Sequence, residues 1–224
     1  MRINVFVAQA TGLSRRGADK AITEGRVSVN GQTATIGQTI TDEDTIAFDG
    51  RVLHSLETKT LIAINKPVGF VVSRQGQGTK TIYDLLPREL AKLKPIGRLD
   101  KNSSGLLLLT DDGKLAHNLT HPSAKKNKVY LVGLNLALKD EHKNQLINGV
   151  ELEDGLSKLA ISKLSQDRKN MTITIHEGRN RQIRRSFESL GYTVIRLHRI
   201  KFGDYELNGL KTGDYIKITD KIMH

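Results

Sequence analysis

The chain has no cysteine among its 224 residues, which excludes a disulfide framework and any thiolate-bound metal. No apolar run approaches the ~20 residues that cross a bilayer. The opening Met1-Arg2-Ile3-Asn4-Val5-Phe6-Val7-Ala8-Gln9-Ala10 carries no continuous hydrophobic stretch ahead of a small-residue cleavage site, so a cytoplasmic protein is expected. Gln75-Gly76-Gln77-Gly78 is glycine-rich but lacks the strand-to-helix setting of a nucleotide fingerprint. His117 and His121 have the spacing of helical zinc ligands, yet no glutamate follows His117 and Pro122 breaks the helix, so no metal is expected. What the chain has in excess is positive charge, +11 net, which favours a polyanionic partner through counterion release.

Residues 1–54 read as a small module. Ile3, Phe6, Val7 and Ala10 recur at helical spacing up to Gly12. Ser14 is a good N-cap for a second helix over 15–24, which Gly25 ends. Val27-Ser28-Val29, Asn30-Gly31 and Thr33-Ala34-Thr35 give a tight hairpin signal, with a further strand over 45–48. The module holds six Lys/Arg and six Asp/Glu, segregated: five cations precede residue 27, while Asp42, Glu43, Asp44 and Asp49 come late. Arg15 and Arg16 open a helix, where the macrodipole disfavours cations, and this points to an anion expected there. The bland alternative is a solvated helix face.

Residues 55–59 form a polar linker, and 60–224 make a larger domain. Strands are expected over 61–64, 106–109, 171–175, 194–202 and 215–218. Residues 81–93 are mostly helical in pattern, with Pro87 as an interruption. Asp111 and Asp112 cap a helix reaching about 119, and another helix runs over about 181–190. The four leucines Leu106 to Leu109 are too short a run for a typical helix and read as a strand buried on both faces. Ahead of them lies a polar loop with Arg98, Asp100, Lys101, Asn102, Ser103 and Ser104, which a buried strand can hold rigidly while leaving it reachable. By spacing alone, Arg98 and Asp100 also read as a surface ion pair of ~0–1 kcal/mol. Lys125, Lys126 and Lys128 lead into a strand on which Lys128 and Tyr130 share a face, and a strand tyrosine ordinarily packs on the core. Residues 167–201 hold nine Lys/Arg against three Asp/Glu, a stripe suited to a polyanion.

Five stretches carry a resemblance. Gly97-Arg98-Leu99-Asp100, then Ser103-Ser104-Gly105 and the leucine run, resembles the signature loop of the ribosomal-RNA pseudouridine synthases. Lys128-Val129-Tyr130 and Glu177-Gly178-Arg179-Asn180-Arg181-Gln182-Ile183-Arg184-Arg185 agree with it, as does Asn65-Lys66-Pro67, a tripeptide common by chance. Ser14-Arg15-Arg16 followed by Gly25-Arg26-Val27-Ser28-Val29-Asn30-Gly31 resembles the S4-type RNA-binding module.

The resemblance implies an α+β fold, a small αβ RNA-binding module followed by a mixed, largely antiparallel sheet with flanking helices. It implies a catalytic Asp100, with Tyr130 against the target base, Arg184 paired to Asp100 and Ile183 walling the base pocket. RNA contacts fall to Arg15, Arg16, Lys20, Arg26, Arg98, Lys128, Arg179, Arg181 and Arg185, although the last three cationic positions also read as helix-surface charges. The implied partner is ribosomal RNA or a ribosome precursor, large-subunit RNA slightly favoured over small, met by a monomer away from membranes. No cofactor is required, because isomerisation adds and removes nothing. The alternative is a non-catalytic RNA-binding or ribosome-assembly protein on the same scaffold. An RNA methyltransferase would need a glycine-rich donor site, which the sequence lacks.

Overall fold

Strands form where the sequence predicts them over 27–29, 45–48, 61–64, 106–109, 171–175, 194–202 and 215–218, and shorter ones form besides. The structure, a computed structural model, describes residues 1–41, 43–54, 59–121, 123 and 125–218. Asp42, most of the expected linker (55–58), Pro122 and the last residues of the chain lie outside these. The chain divides into two compact units, Met1–Lys59 and Thr60–His224.

In the first unit, α1 (Ile3–Thr11) and α2 (Arg15–Thr23) precede β1 (Val27–Val29), β2 (Gln32–Thr33), β3 (Ile46–Phe48) and β4 (Arg51–Val52). Gly12, at φ +77°, closes α1 in the left-handed conformation that glycine adopts without strain. The Ser14 hydroxyl accepts from the Gly17 amide at 3.0 Å and caps α2. The strands form an antiparallel sheet in the order β2-β1-β3-β4, covered through Ile3, Val7, Ala18, Ile22, Val27 and Ile46.

The second unit runs β5 (Leu61–Lys66), β6 (Lys94–Ile96), β7 (Ser104–Thr110), α3 (Gly113–Thr120), β8 (Lys128–Leu134), α4 (Asp140–Asn148), β9 (Val150–Leu152), β10 (Gly155–Ser157), β11 (Ala160–Ser162), β12 (Asn170–Ile175), α5 (Gln182–Glu188), β13 (Val194–Phe202), β14 (Tyr205–Glu206) and β15 (Tyr215–Lys217). Its main sheet has the order β11-β12-β8-β13-β7-β5-β15, with β14 on β13 and β6 on β7. Only β13 and β7 pair in parallel; every other pairing in that sheet is antiparallel. Leu106, Leu107, Leu108 and Leu109 are each 0% exposed, as a strand covered on both sides requires. Leu107 and Leu109 join the core that includes Leu146, Ile183 and Phe187 from α4 and α5, while Leu106 and Leu108 join the one that includes Leu119 of α3.

One local expectation fails. The helical pattern over 81–93 resolves into two short 3₁₀ turns, Ile82–Leu85 and Arg88–Leu90. Thr81 and Asp84 close a capping box on the first turn, and Pro87 starts the second, so neither has the length to propagate an α-helix.

Candidate active site

The loop before β7 is fixed from beneath by Lys66. This side chain ends β5 fully buried, and its Nζ donates to the backbone oxygens of Pro67 (3.0 Å), Asp100 (3.1 Å) and Ser103 (2.7 Å). The three donors of one ammonium therefore meet three carbonyls, two of them in the loop. Burial pushes the Lys66 ammonium down to about 8, against the opposing pull of the Asp100 carboxylate. Within the loop the Ser103 amide donates to the Asp100 carbonyl at 3.0 Å, closing a turn that presents the half-buried Asp100 side chain.

Arg184 fixes the loop from another direction. It is 7% exposed, and its Nη2 donates to the Asn102 carbonyl at 2.7 Å while Nη1 donates to Val194 O at 2.6 Å. Burial lowers the Arg184 pKa, as does Arg181, and the Asp100 and Glu188 carboxylates oppose them. The expected Asp100–Arg184 pair thus takes a different form. Arg184 grips the backbone of the aspartate loop, and among the described residues no cation lies within 4.0 Å of the Asp100 carboxylate.

Tyr130 lies in β8 opposite Ile173 of β12 and Arg199 of β13. It is 7% exposed and shares a core with Leu99, Leu107 and Ile183. Its hydroxyl bonds to no described residue and is not sealed from solvent. Leu99, Tyr130 and Ile183 thus share one core, with Asp100 next in sequence to the first and Arg184 next to the last.

The expected RNA-contacting cations divide into two groups. Arg98 is exposed and unpaired among the described residues, Arg181 is exposed and only loosely met by Glu188 at 3.4 Å, and Lys128 donates only to Glu177 O at 3.4 Å. Arg15 and Arg16, at the start of α2, are exposed and unpaired among the described residues, and Lys20 faces Glu24 at 3.7 Å. The others are engaged within the fold. Arg26 makes a bidentate pair with Asp49 (2.9 and 2.6 Å) and lies 4.6 Å over the Phe48 ring. Arg179 Nη1 reaches Asp154 O, Asp154 Oδ1 and Gly155 O, and its Nη2 reaches Leu156 O. Arg185 forks onto both Asp154 carboxylate oxygens at 3.1 and 2.6 Å. Arg179 and Arg185 thus clamp α5 to the β9–β10 hairpin. A buried contact between Gln182 Nε2 and Ser157 Oγ (3.1 Å) and another between Ser157 and Ser186 (2.8 Å) complete that junction.

Sequence reasoning missed the structural parts of this site. Asp154, Ser157 and the holding role of Lys66 carry no local pattern, because their partners lie on other elements. Among the described residues no group of three or more His, Asp or Glu side chains could hold a metal.

Comparison with known proteins gives the family. Residues 60–189 match the family described as RNA pseudouridylate synthase, and residues 1–46 match the S4 domain. The chain is 39% identical over 225 residues to ribosomal large subunit pseudouridine synthase B of Bacillus subtilis, covering 97% of this chain and 92% of that protein. It is 37% identical over 223 residues to ribosomal small subunit pseudouridine synthase A of Haemophilus influenzae, covering 98% and 96%. A crystal structure of a pseudouridylate synthase superposes with a TM-score of 0.71 at 36% identity, covering 100% of this chain and 98% of that one. Sequence motifs, sheet topology and relatives converge on one assignment: the chain belongs to the RNA pseudouridylate synthase family, enzymes that isomerise uridine in RNA, and carries an S4 domain.

Proposed function

We propose that this protein isomerises a uridine of ribosomal RNA to pseudouridine in the cytoplasm, with Asp100 as the catalytic carboxylate. The observation that carries the reading is a carboxylate with no ion-pair partner among the described residues, on a loop whose backbone is held by two buried cations, Lys66 and Arg184. That arrangement fixes the position of the carboxyl group and keeps its oxygens open to substrate.

The reaction breaks the bond between N1 of uracil and the anomeric carbon, its electron pair leaving with the base. The base turns, C5 bonds to the same carbon, the C5 proton is lost and N1 gains one. A carboxylate serves either as the nucleophile at the anomeric carbon or as the base for the neighbouring sugar proton, and both tasks need it ionised. Tyr130 and Ile183 supply an aromatic and an aliphatic wall for the detached base, and the target must be looped or extruded to reach them. Arg98, Lys128 and Arg181, with Arg15, Arg16 and Lys20 of the S4 unit, are the proposed phosphate contacts.

Large-subunit RNA is slightly favoured because His121-Pro122-Ser123 and Glu151-Leu152-Glu153-Asp154-Gly155 resemble the branch of the family that acts on it. The named relatives include enzymes of both subunits at nearly equal identity, so the choice rests on those features. Mapping pseudouridines in both rRNAs of cells lacking the protein tests it. The catalytic assignment is tested by Asp100→Asn, assayed by tritium release from RNA labelled at uridine C5. Turnover should fall roughly 10⁴-fold or more, the scale of losing a catalytic nucleophile, with RNA affinity nearly intact. Product at the wild-type rate would remove Asp100 from this role.

A further inference from the structure

Cross-strand partners stand on the same side of a sheet. One such row runs Lys66, Gly105, Arg199, Tyr130 and Ile173 across β5, β7, β13, β8 and β12. It puts Arg199, a residue with no assigned role, beside Tyr130, with a glycine on its other flank. Only glycine fits there: Gly105 has φ +103°, and a Cβ would stand 2.2 Å from the Arg199 carbonyl oxygen.

Arg199 is 2% exposed, yet its charge is not neutralised. Nε donates to Leu106 O at 2.8 Å. Among the described residues no acceptor takes Nη1 or Nη2, and only Nη2 is fully enclosed. A second cation stands close by. Lys128 lies opposite Phe202, the Lys128 Nζ is 5.3 Å from the centroid of that ring, and the Arg199 guanidinium carbon is 5.0 Å from the same centroid. Burial, and then Arg199, lower the Lys128 pKa, and Glu177 opposes them. The Glu177 carboxylate is itself taken up by the Gln182 amide and by Arg179 at 3.4 Å. Two cations in a half-dry place, facing one ring with no carboxylate of their own, are costly unless an anion joins them.

We infer that Arg199 and Lys128 form a subsite for one phosphodiester of the RNA, next to the Tyr130 wall. The inference rests on the RNA-directed reading above. A phosphodiester suits the pair because its two anionic oxygens can meet an ammonium and a guanidinium edge together, whereas a base carbonyl offers one planar acceptor.

The test uses the full chain with ¹⁵N-labelled lysine side chains, the Lys128 signal being assigned by its loss in Lys128→Met. Inorganic phosphate is titrated against sodium chloride at matched ionic strength. Phosphate should move the Lys128 signal saturably and raise its pKa by roughly one unit, as a nearby opposite charge does. Arg199→Lys, which keeps the charge and loses the fork, should weaken that response about tenfold. In a second arm, Lys128→Met should reduce the salt slope for a short oligouridylate by about 0.7, one single-strand phosphate contact, and should leave binding of its methylphosphonate analogue unaltered. A response that chloride reproduces, or an unchanged slope, overturns the subsite. Neither arm reads catalysis, so failure of the Asp100 assignment would leave the result standing. An active enzyme with no phosphate-specific response would remove the subsite alone.

Discussion

At the scale of single residues, the site is organised by cations that hold carbonyl oxygens. Lys66 has no role in the proposed chemistry, yet its ammonium connects both ends of the turn that presents Asp100. Its depressed pKa gives two opposite pH trends. Above about 8 the side chain becomes an amine with two N–H donors for three carbonyls, so the loop loosens and turnover should decline. For stability the sign reverses. The folded pKa lies below the ordinary value of 10.5, so between about 8 and 10.5 the unfolded chain holds more protons, and this group's contribution to stability rises with pH. Activity that falls across this window while the melting temperature holds or climbs would identify Lys66. Lys66→Met should flatten both trends at a lower turnover; a wild-type rate that is level through pH 9 would refute the idea. The loop of Asp100 and the helix of Arg184 are legible in the sequence because they sit in long motifs. The holding role of Lys66 is not, since Asn-Lys-Pro is an ordinary tripeptide and two of its three partners lie more than thirty positions away.

At the scale of elements, α5 is useful only if its seating on the β9–β10 hairpin is fixed, because it carries both Ile183 and Arg184. Asp154 is the centre of that seating, receiving Arg179 and Arg185 together. Hydrogen bonds from Arg185, with the charge of both arginines, hold its carboxyl below the usual carboxylate range. Asp154→Ala should loosen α5 without unfolding the sheet. Amides of 182–188 should exchange faster while those of β5 and β7 stay protected, and turnover should fall as Arg184 loses its hold on Asn102 O. Equal protection of α5 in variant and parent would show that the Gln182–Ser157–Ser186 contacts suffice. The sequence had placed β12, α5 and β13 to within a few residues, because alternation and caps are local signals. Arg179 and Arg185 read from sequence as phosphate contacts or surface charge, because a basic run does not disclose a carboxylate three strands back along the chain. The same limit applies to Arg199, whose place beside Tyr130 follows from strand register and not from spacing.

At the scale of the whole molecule, charge is distributed unevenly between the two units. Residues 60–224 hold 28 Lys/Arg against 17 Asp/Glu, so the entire excess of +11 lies in the synthase unit and the S4 unit is neutral. Long-range attraction to RNA should therefore come from the synthase unit, and the S4 unit should act through local placement of charge. Arg26 is committed to Asp49 and Lys20 faces Glu24, which leaves Arg15 and Arg16 as the cations of α2 without an ionic partner among the described residues. Both sit where the helix dipole disfavours them and where an arriving phosphate would relieve the cost. Replacing both with alanine should weaken rRNA binding and reduce the salt slope by roughly one to two, one step per lost phosphate contact, with most of the slope remaining. Since neither side chain supports the core, the melting temperature should stay close to that of the parent. A slope unchanged within error would assign phosphate reading to the synthase unit alone. A slope that collapsed altogether would contradict the charge distribution from which the expectation is drawn.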